Sequence, residues 1–302
     1  MPVGPLTPQV TAKKVAQVPL DPEDEAWAGA APTNIPLQAQ NIQAPQGGGS
    51  VTQVEVRALH STDVFAVRLT WSNPTDERVV AVKRFRDAAA VMFPVAVDPL
   101  PSSMMGHVGA PVLIWQWKAD WEDFPAAYAD RMALYPDYTD FHHPTNDTLN
   151  AQFGDKPAAP EKVDVLVAEG FGSATRVGDS GVDVKSARSG EFTRVVFRRA
   201  LPATAPALVP GTKSALNVAV WDGARDNRGS RKSVSLIWVD LLLEAPSTGG
   251  TGAPAPTLDG PMVALGSLLL AACALFAIGI ERTEEVRKYE KEQQAKLTGG
   301  KK

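Results

Sequence analysis

The chain has 302 residues, 44% of them hydrophobic, enough for one large domain or two small ones. A formal net charge of -4 gives no electrostatic reason to expect a nucleic-acid partner. The single cysteine, Cys273, lies in an apolar run, so a disulfide framework, a cysteine zinc site, an iron–sulfur cluster and a covalently attached c-type haem are excluded within this chain.

Residues 1–20 read as a flexible arm, and "APQGGGS" reads as a linker or loop. "VTQVEVRALHSTDVFAVRLTWSN" has the pattern of a hairpin. Val54, Val56 and Ala58 alternate with polar neighbours, "STD" turns the chain, and Phe65, Val67, Leu69 and Trp71 alternate again. His60 ends the first of these strands, where a surface turn is expected. "DAAAVMFPV" fits a helix or a strand by composition; its short length and the proline after Phe93 favour a strand. In "MMGHVGAPVLIWQWKADW" two methionines precede a strand. On it Leu113, Trp115 and Trp117 share one face, and Ile114, Gln116 and Lys118 share the other.

Residues 121–160 form a long excursion, the length of an insertion that faces a function or a partner. Its His142 and His143 are adjacent, and adjacent strand residues point opposite ways, so one ion would fit them poorly. Strands resume at "VDVLVAEG", "FTRVVFRRA", "ALNVAVWDG" and "SVSLIWVDLLLE". The whole reads as an all-β antiparallel sandwich over residues 21–244.

Residues 245–260 are a flexible linker to "PMVALGSLLLAACALFAIGI", residues 261–280, which carry no charge. Twenty residues of helix span about 30 Å, the thickness of a bilayer core. This predicts one C-terminal transmembrane α-helix and contact with the lipid bilayer. Arg282, Arg287, Lys288, Lys291, Lys296, Lys301 and Lys302 follow it, and no Lys or Arg lies between Glu244 and Ile280. The charge bias puts the tail 281–302 in the cytoplasm and the sandwich on the extracytoplasmic side of a cell membrane, as a single-pass protein. The first twenty residues show no apolar core of a signal peptide, so export by another route is expected.

No phosphate loop, nucleophile elbow or zinc-binding helix pair is present. By composition alone, Met105 fits a core gap-filler and Lys213 a solvated turn lysine.

The succession "MMGHVGAPVLIWQWKADW", "VLVAEGFGSATR", "VVFRRAL" and "GTKSALNVAVWDG…KSVSLIWVDLLLE" resembles the haem b-binding γ subunits of complex iron–sulfur molybdoenzymes. These include ethylbenzene dehydrogenase, dimethylsulfide dehydrogenase and related nitrate reductases and nitrite oxidoreductases. The resemblance covers roughly residues 20–244 and rests on the order and spacing of the segments.

It implies a β-sandwich haem b domain with Met105 and Lys213 as axial ligands, and with Met104, His107 or Lys118 as substitutes. The tryptophans and apolar strand residues would wall the porphyrin slot, with Met105 at its mouth. The implied role is a non-catalytic electron-transfer subunit. Its partners would be an iron–sulfur subunit, a molybdopterin catalytic subunit and a quinone-linked or cytochrome c-type carrier. The alternatives are a haem subunit of another membrane oxidoreductase and a haem-free, membrane-tethered binding module. Lysine ligates iron only as the free amine, and removing its proton at pH 7 costs roughly 4–5 kcal/mol in water. The implied lysine therefore has to be desolvated.

Overall fold

The computed structural model describes residues 8–80, 83–122, 162–177, 181–201 and 208–245, all within the first of two units of the chain, Met1–Ser247. Most of the predicted excursion 121–160 lies outside these residues, His142 and His143 included. So do nearly all of the linker 245–260, the span 261–280 and the tail 281–302. Among the described residues no helix is long and apolar enough to cross a membrane.

The described residues form fourteen strands and almost no helix. In chain order they are β1 (Gln9–Lys14), β2 (Thr33–Pro36), β3 (Gln38–Ala39), β4 (Gln53–His60), β5 (Val64–Ser72), β6 (Ala88–Pro94), β7 (Val112–Lys118), β8 (Val163–Ala168), β9 (Thr175–Arg176), β10 (Val182–Ser189), β11 (Phe192–Ala200), β12 (Lys213–Trp221), β13 (Ser233–Val234) and β14 (Val239–Leu243). The predicted hairpin is β4–β5, antiparallel from Glu55↔Thr70 to His60↔Phe65.

One half of the sheet runs β10–β11–β5–β4–β1–β14, and the other runs β6–β7–β8–β9. Strand β12 belongs to both: Lys213–Leu216 pair with β14, and Asn217–Trp221 pair with β6. A strand that changes sheets in mid-course lets the two halves face each other. Their inner faces meet in aromatic contacts. Phe65 on β5 stands 6.3 Å from Phe93 on β6 and 6.4 Å from Trp115 on β7, and Trp71 on β5 lies 6.2 Å from Trp117 on β7. Trp115 and Trp117 are fully buried there.

The segment read as a flexible arm contains β1. This strand fills the gap between β14 and β4 and runs parallel to both, so the sandwich is mixed and not purely antiparallel. His60 is buried, with Nδ1 3.0 Å from the Ser61 carbonyl, because β1 covers the end of β4. The segment "SVSLIWVDLLLE" is two strands, β13 and β14. Between them Ser235 turns inward, donating from Oγ to Asn217 Oδ1 at 2.6 Å and accepting from Val218 N at 3.1 Å.

A candidate cofactor pocket on the outer face of the sheet

Strand residues alternate between two faces. On β6, Ala89, Val91 and Phe93 enter the sandwich core, which leaves Ala88, Ala90 and Met92 outside. On β7 the core takes Leu113, Trp115 and Trp117, and the outer face takes Val112 and Ile114. On β12 the core takes Leu216, Val218 and Val220, and the outer face takes Ala219 and Trp221. The outer set is a second apolar cluster, and it floors a cavity of about 540 Å³. That volume lies within the roughly 300–1,000 Å³ of small-molecule and cofactor sites. The floor is shallow because Ala90 and Ala219 are cross-strand partners; two methyl groups fill little space. Trp115 and Trp117, expected to wall the slot, point away from it into the core, and Trp221 is the tryptophan that lines it. The period of two that buries Trp115 and Trp117 turns Ile114 and Gln116 to the cavity instead.

Met105 lines this cavity from the loop before β7. It is held there by backbone geometry. Met105 and Gly106 both have positive φ, 69° and 77°. A non-glycine residue in the left-handed region is strained and persists only when its surroundings fix it. Here Gly106 N donates to Ser102 O at 2.9 Å, and Gly170 N donates to Met105 O at 2.7 Å. Gly106 admits no side chain, since a Cβ would fall 2.7 Å from Ala110 O and 3.0 Å from Ala168 O. The Met-Gly step is therefore a tight turn whose product is the placement of one thioether.

Lys213 is elsewhere. It opens β12 four residues before Asn217, about 13 Å away along an extended strand. Its side chain is 64% exposed, and Nζ pairs with Asp240 Oδ2 at 2.8 Å. The structure thus does not bring Met105 and Lys213 onto one cavity. Lys118 is half-buried, and desolvation pulls its amine down to about 8 against the opposing pull of Asp164. It bonds Asp164 Oδ2 at 2.7 Å, lies 3.8 Å over the Trp121 ring, and does not line the cavity. His107 is exposed, and its Nδ1 accepts from Ser102 N at 3.3 Å. Met104 is half-buried, and neither it nor His107 lines the cavity.

The lysine that does line the cavity is Lys232. Its Nζ stands 5.0 Å over the Trp221 ring, and among the described residues no carboxylate lines the cavity beside it. Burial lowers its amine to about 8. No Asp or Glu lines the cavity among the described residues, so this amine meets no compensating charge there. Sequence reasoning did not single out Lys232, which in "RGSRKS" stands among polar and basic residues. The available signal was alternation: Lys232 shares a face with Val234, which packs on the outer cluster. Among the described residues no group of three or more His, Cys, Asp or Glu could hold a metal ion. The chemistry on offer is therefore a soft thioether and a desolvated amine over an apolar floor.

Comparisons with known proteins agree in direction. A protein of Haloferax mediterranei assigned as a respiratory nitrate reductase heme subunit is 24% identical over 91% of this chain and 88% of its own. The chlorate reductase subunit gamma of Ideonella dechloratans is 27% identical over 65% of this chain and 66% of its own. The dimethylsulfide dehydrogenase subunit gamma of Rhodovulum sulfidophilum is 25% identical over 74% and 75%. Among solved structures, a family 9 carbohydrate-binding module of Caldicellulosiruptor kristjanssonii with glucose covers 81% of this chain at 11% identity and a TM-score of 0.44, which carries no argument. A family model described as ethylbenzene dehydrogenase matches residues 24–233, spanning the Met-Gly turn, the cavity floor and Lys232. The chain belongs to the ethylbenzene dehydrogenase family, the one that its own segments resemble.

Proposed function

We propose that this protein is a haem-carrying electron-transfer subunit of a multi-subunit oxidoreductase, and that Met105 and Lys232 would hold the iron of a haem b in the outer-face cavity. The observation that carries the reading is that a loop-held thioether and a lysine line one apolar cavity in which, among the described residues, no carboxylate stands. The residues fit the group. Ala90 and Ala219 leave room above the floor, and Ile114, Leu166 and Val234 would supply apolar contact to the macrocycle. Haem, when bound, supplies a single-electron couple at its iron.

Met105 contributes a neutral, soft sulfur, which favours the ferrous state and raises the potential. Lys232 contributes nitrogen, and its desolvated setting reduces the cost of offering that nitrogen as the free amine. A haem held by both side chains would carry electrons and leave its iron closed to a substrate. Catalysis then belongs to a molybdenum-containing partner reached through an iron–sulfur subunit, and electrons pass between them and a quinone-linked or cytochrome c-type carrier. Residues 261–280 are proposed as the membrane anchor, with the haem domain on the extracytoplasmic side.

The test is spectroscopic. The purified full-length protein should show a Soret band and a low-spin, six-coordinate iron. Met105→Ala and Lys232→Ala should each convert part or all of it to a high-spin form, and Met105→Ala should also lower the midpoint potential. A wild-type spectrum and potential in both variants would overturn the assignment.

A further inference from the structure

The stretch "APQGGGS" read as a linker, yet it is packed against the lysine of the cavity. Lys232 N donates to Gly47 O at 3.2 Å, and Gln40 N donates to Lys232 O at 3.1 Å, so both backbone groups of Lys232 are bonded to one loop. The next residue is tied to the same loop. Ser233 Oγ accepts from Gly49 N at 3.0 Å and from Val51 N at 3.2 Å, and β13 pairs with β3. Gln40 is buried, and its side chain braces the loop. Nε2 donates to Gln43 O at 2.7 Å and Ser230 O at 3.2 Å, and Oε1 accepts from Ile42 N and Gln43 N, each at 2.7 Å.

Gly48 is the point of closest approach. A Cβ there would fall 2.2 Å from Lys232 O, 2.3 Å from its carbonyl carbon and 2.6 Å from its N. All three are backbone atoms, so no side-chain rotation relieves the clash. Its φ of +98° is also one that other residues rarely adopt.

We infer that Gly48 is a positioning residue for Lys232. The triglycine loop grips the backbone of Lys232 and so fixes where its amine enters the cavity. A lysine side chain has four rotatable bonds and on the order of 2 kcal/mol of rotamer entropy, so it gives little precision by itself. Anchoring its backbone on both sides narrows the volume that the amine can reach. The inference rests on the reading of Lys232 as a ligand, and the test separates the two.

The experiment compares full-length, haem-loaded wild type with Gly48→Ala, Ser233→Ala, Lys232→Ala and Gly190→Ala. Gly190 also has positive φ, +59°, but a Cβ there meets nothing within 4 Å, so it controls for backbone strain alone. Low-spin and high-spin fractions are read by absorption and electron paramagnetic resonance, potentials by redox titration, and folding by far-ultraviolet circular dichroism. Gly48→Ala should fold and show a roughly tenfold rise in the ratio of high-spin to low-spin iron, the response to about 1.4 kcal/mol of lost ligation. Ser233→Ala should move it in the same direction by less, and Gly190→Ala should match wild type.

If Gly48→Ala does not fold, Ser233→Ala decides by the same readout. If Lys232→Ala changes the spectrum while Gly48→Ala and Ser233→Ala keep that of wild type, the clamp is overturned and the ligand stands. If Lys232→Ala itself keeps the wild-type spectrum, the ligand reading fails and takes the clamp with it.

Discussion

At the scale of single residues, two lysines at the two ends of one connected segment have opposite fates. Lys213 begins a strand, reaches water and pairs with Asp240. Lys232 faces a cavity that no carboxylate lines among the described residues. Lys213→Ala should therefore leave the haem spectrum unchanged and cost no more than about 1 kcal/mol in urea unfolding, the usual worth of an exposed pair. A spectral change in that variant would return the ligand role to Lys213. Met105 entered only through the family resemblance, since by composition alone it fits a core gap-filler, and the structure lines the cavity with it on a turn of positive φ. Lys232 did not enter in that way. What makes it special is the approach of Gly48 from a segment far away in the chain, and no spacing within "RGSRKS" encodes that.

At the scale of elements, the strands of the sandwich were largely readable from alternation. The β4–β5 hairpin, β6, β7, β8, β11 and β12 stand where period-two patterning put them. Strands β2, β3 and β13 are two to four residues long, and a period cannot be read from so few. Strand β1 was missed because "QVTAKK" is short, half polar, and stabilised by parallel pairing to two strands distant in sequence, β4 and β14. Alternation identified the two faces of β7 but not which of them borders a cavity, since that depends on how the half-sheets stack. The distinction is testable with one variant per face. Trp115→Ala removes a fully buried indole from the core and should cost about 3–5 kcal/mol in denaturant unfolding, while the folded fraction keeps its haem spectrum. Ala90→Leu fills the floor of the cavity and should block haem uptake, with a change in stability of the haem-free protein below about 1.5 kcal/mol.

At the scale of the whole molecule, a buried carboxylate ties distant parts of the sandwich together. Asp87 Oδ1 accepts from Gly223 N at 2.8 Å, and its Oδ2 accepts from Asn73 Nδ2 at 2.8 Å and Glu77 N at 2.7 Å. This joins the end of β5, the start of β6 and the end of β12. It also explains the glycine of Trp-Asp-Gly, where a Cβ would fall 2.0 Å from Phe85 O. Burial raises Asp87 to about 6, with the three hydrogen bonds opposing. The folded protein thus holds this proton more tightly than the unfolded chain does. The stabilisation is full below about pH 4 and is lost as pH rises through about 6. In urea titrations, the stability of wild type relative to Asp87→Asn should fall by about 2–3 kcal/mol between pH 4 and pH 7, with the loss centred between the two pKa values. A flat difference across that range would assign the proton to another group.

The strands β6, β7 and β12 carry two messages interleaved letter by letter, one read by the interior and one by the cavity. Because most neighbouring letters answer to different readers, the residues that line the cavity can be respelled while Phe93, Trp115 and Trp117 stay in place inside. The same economy lets an engineer treat the odd and even positions as separate alphabets on one scaffold.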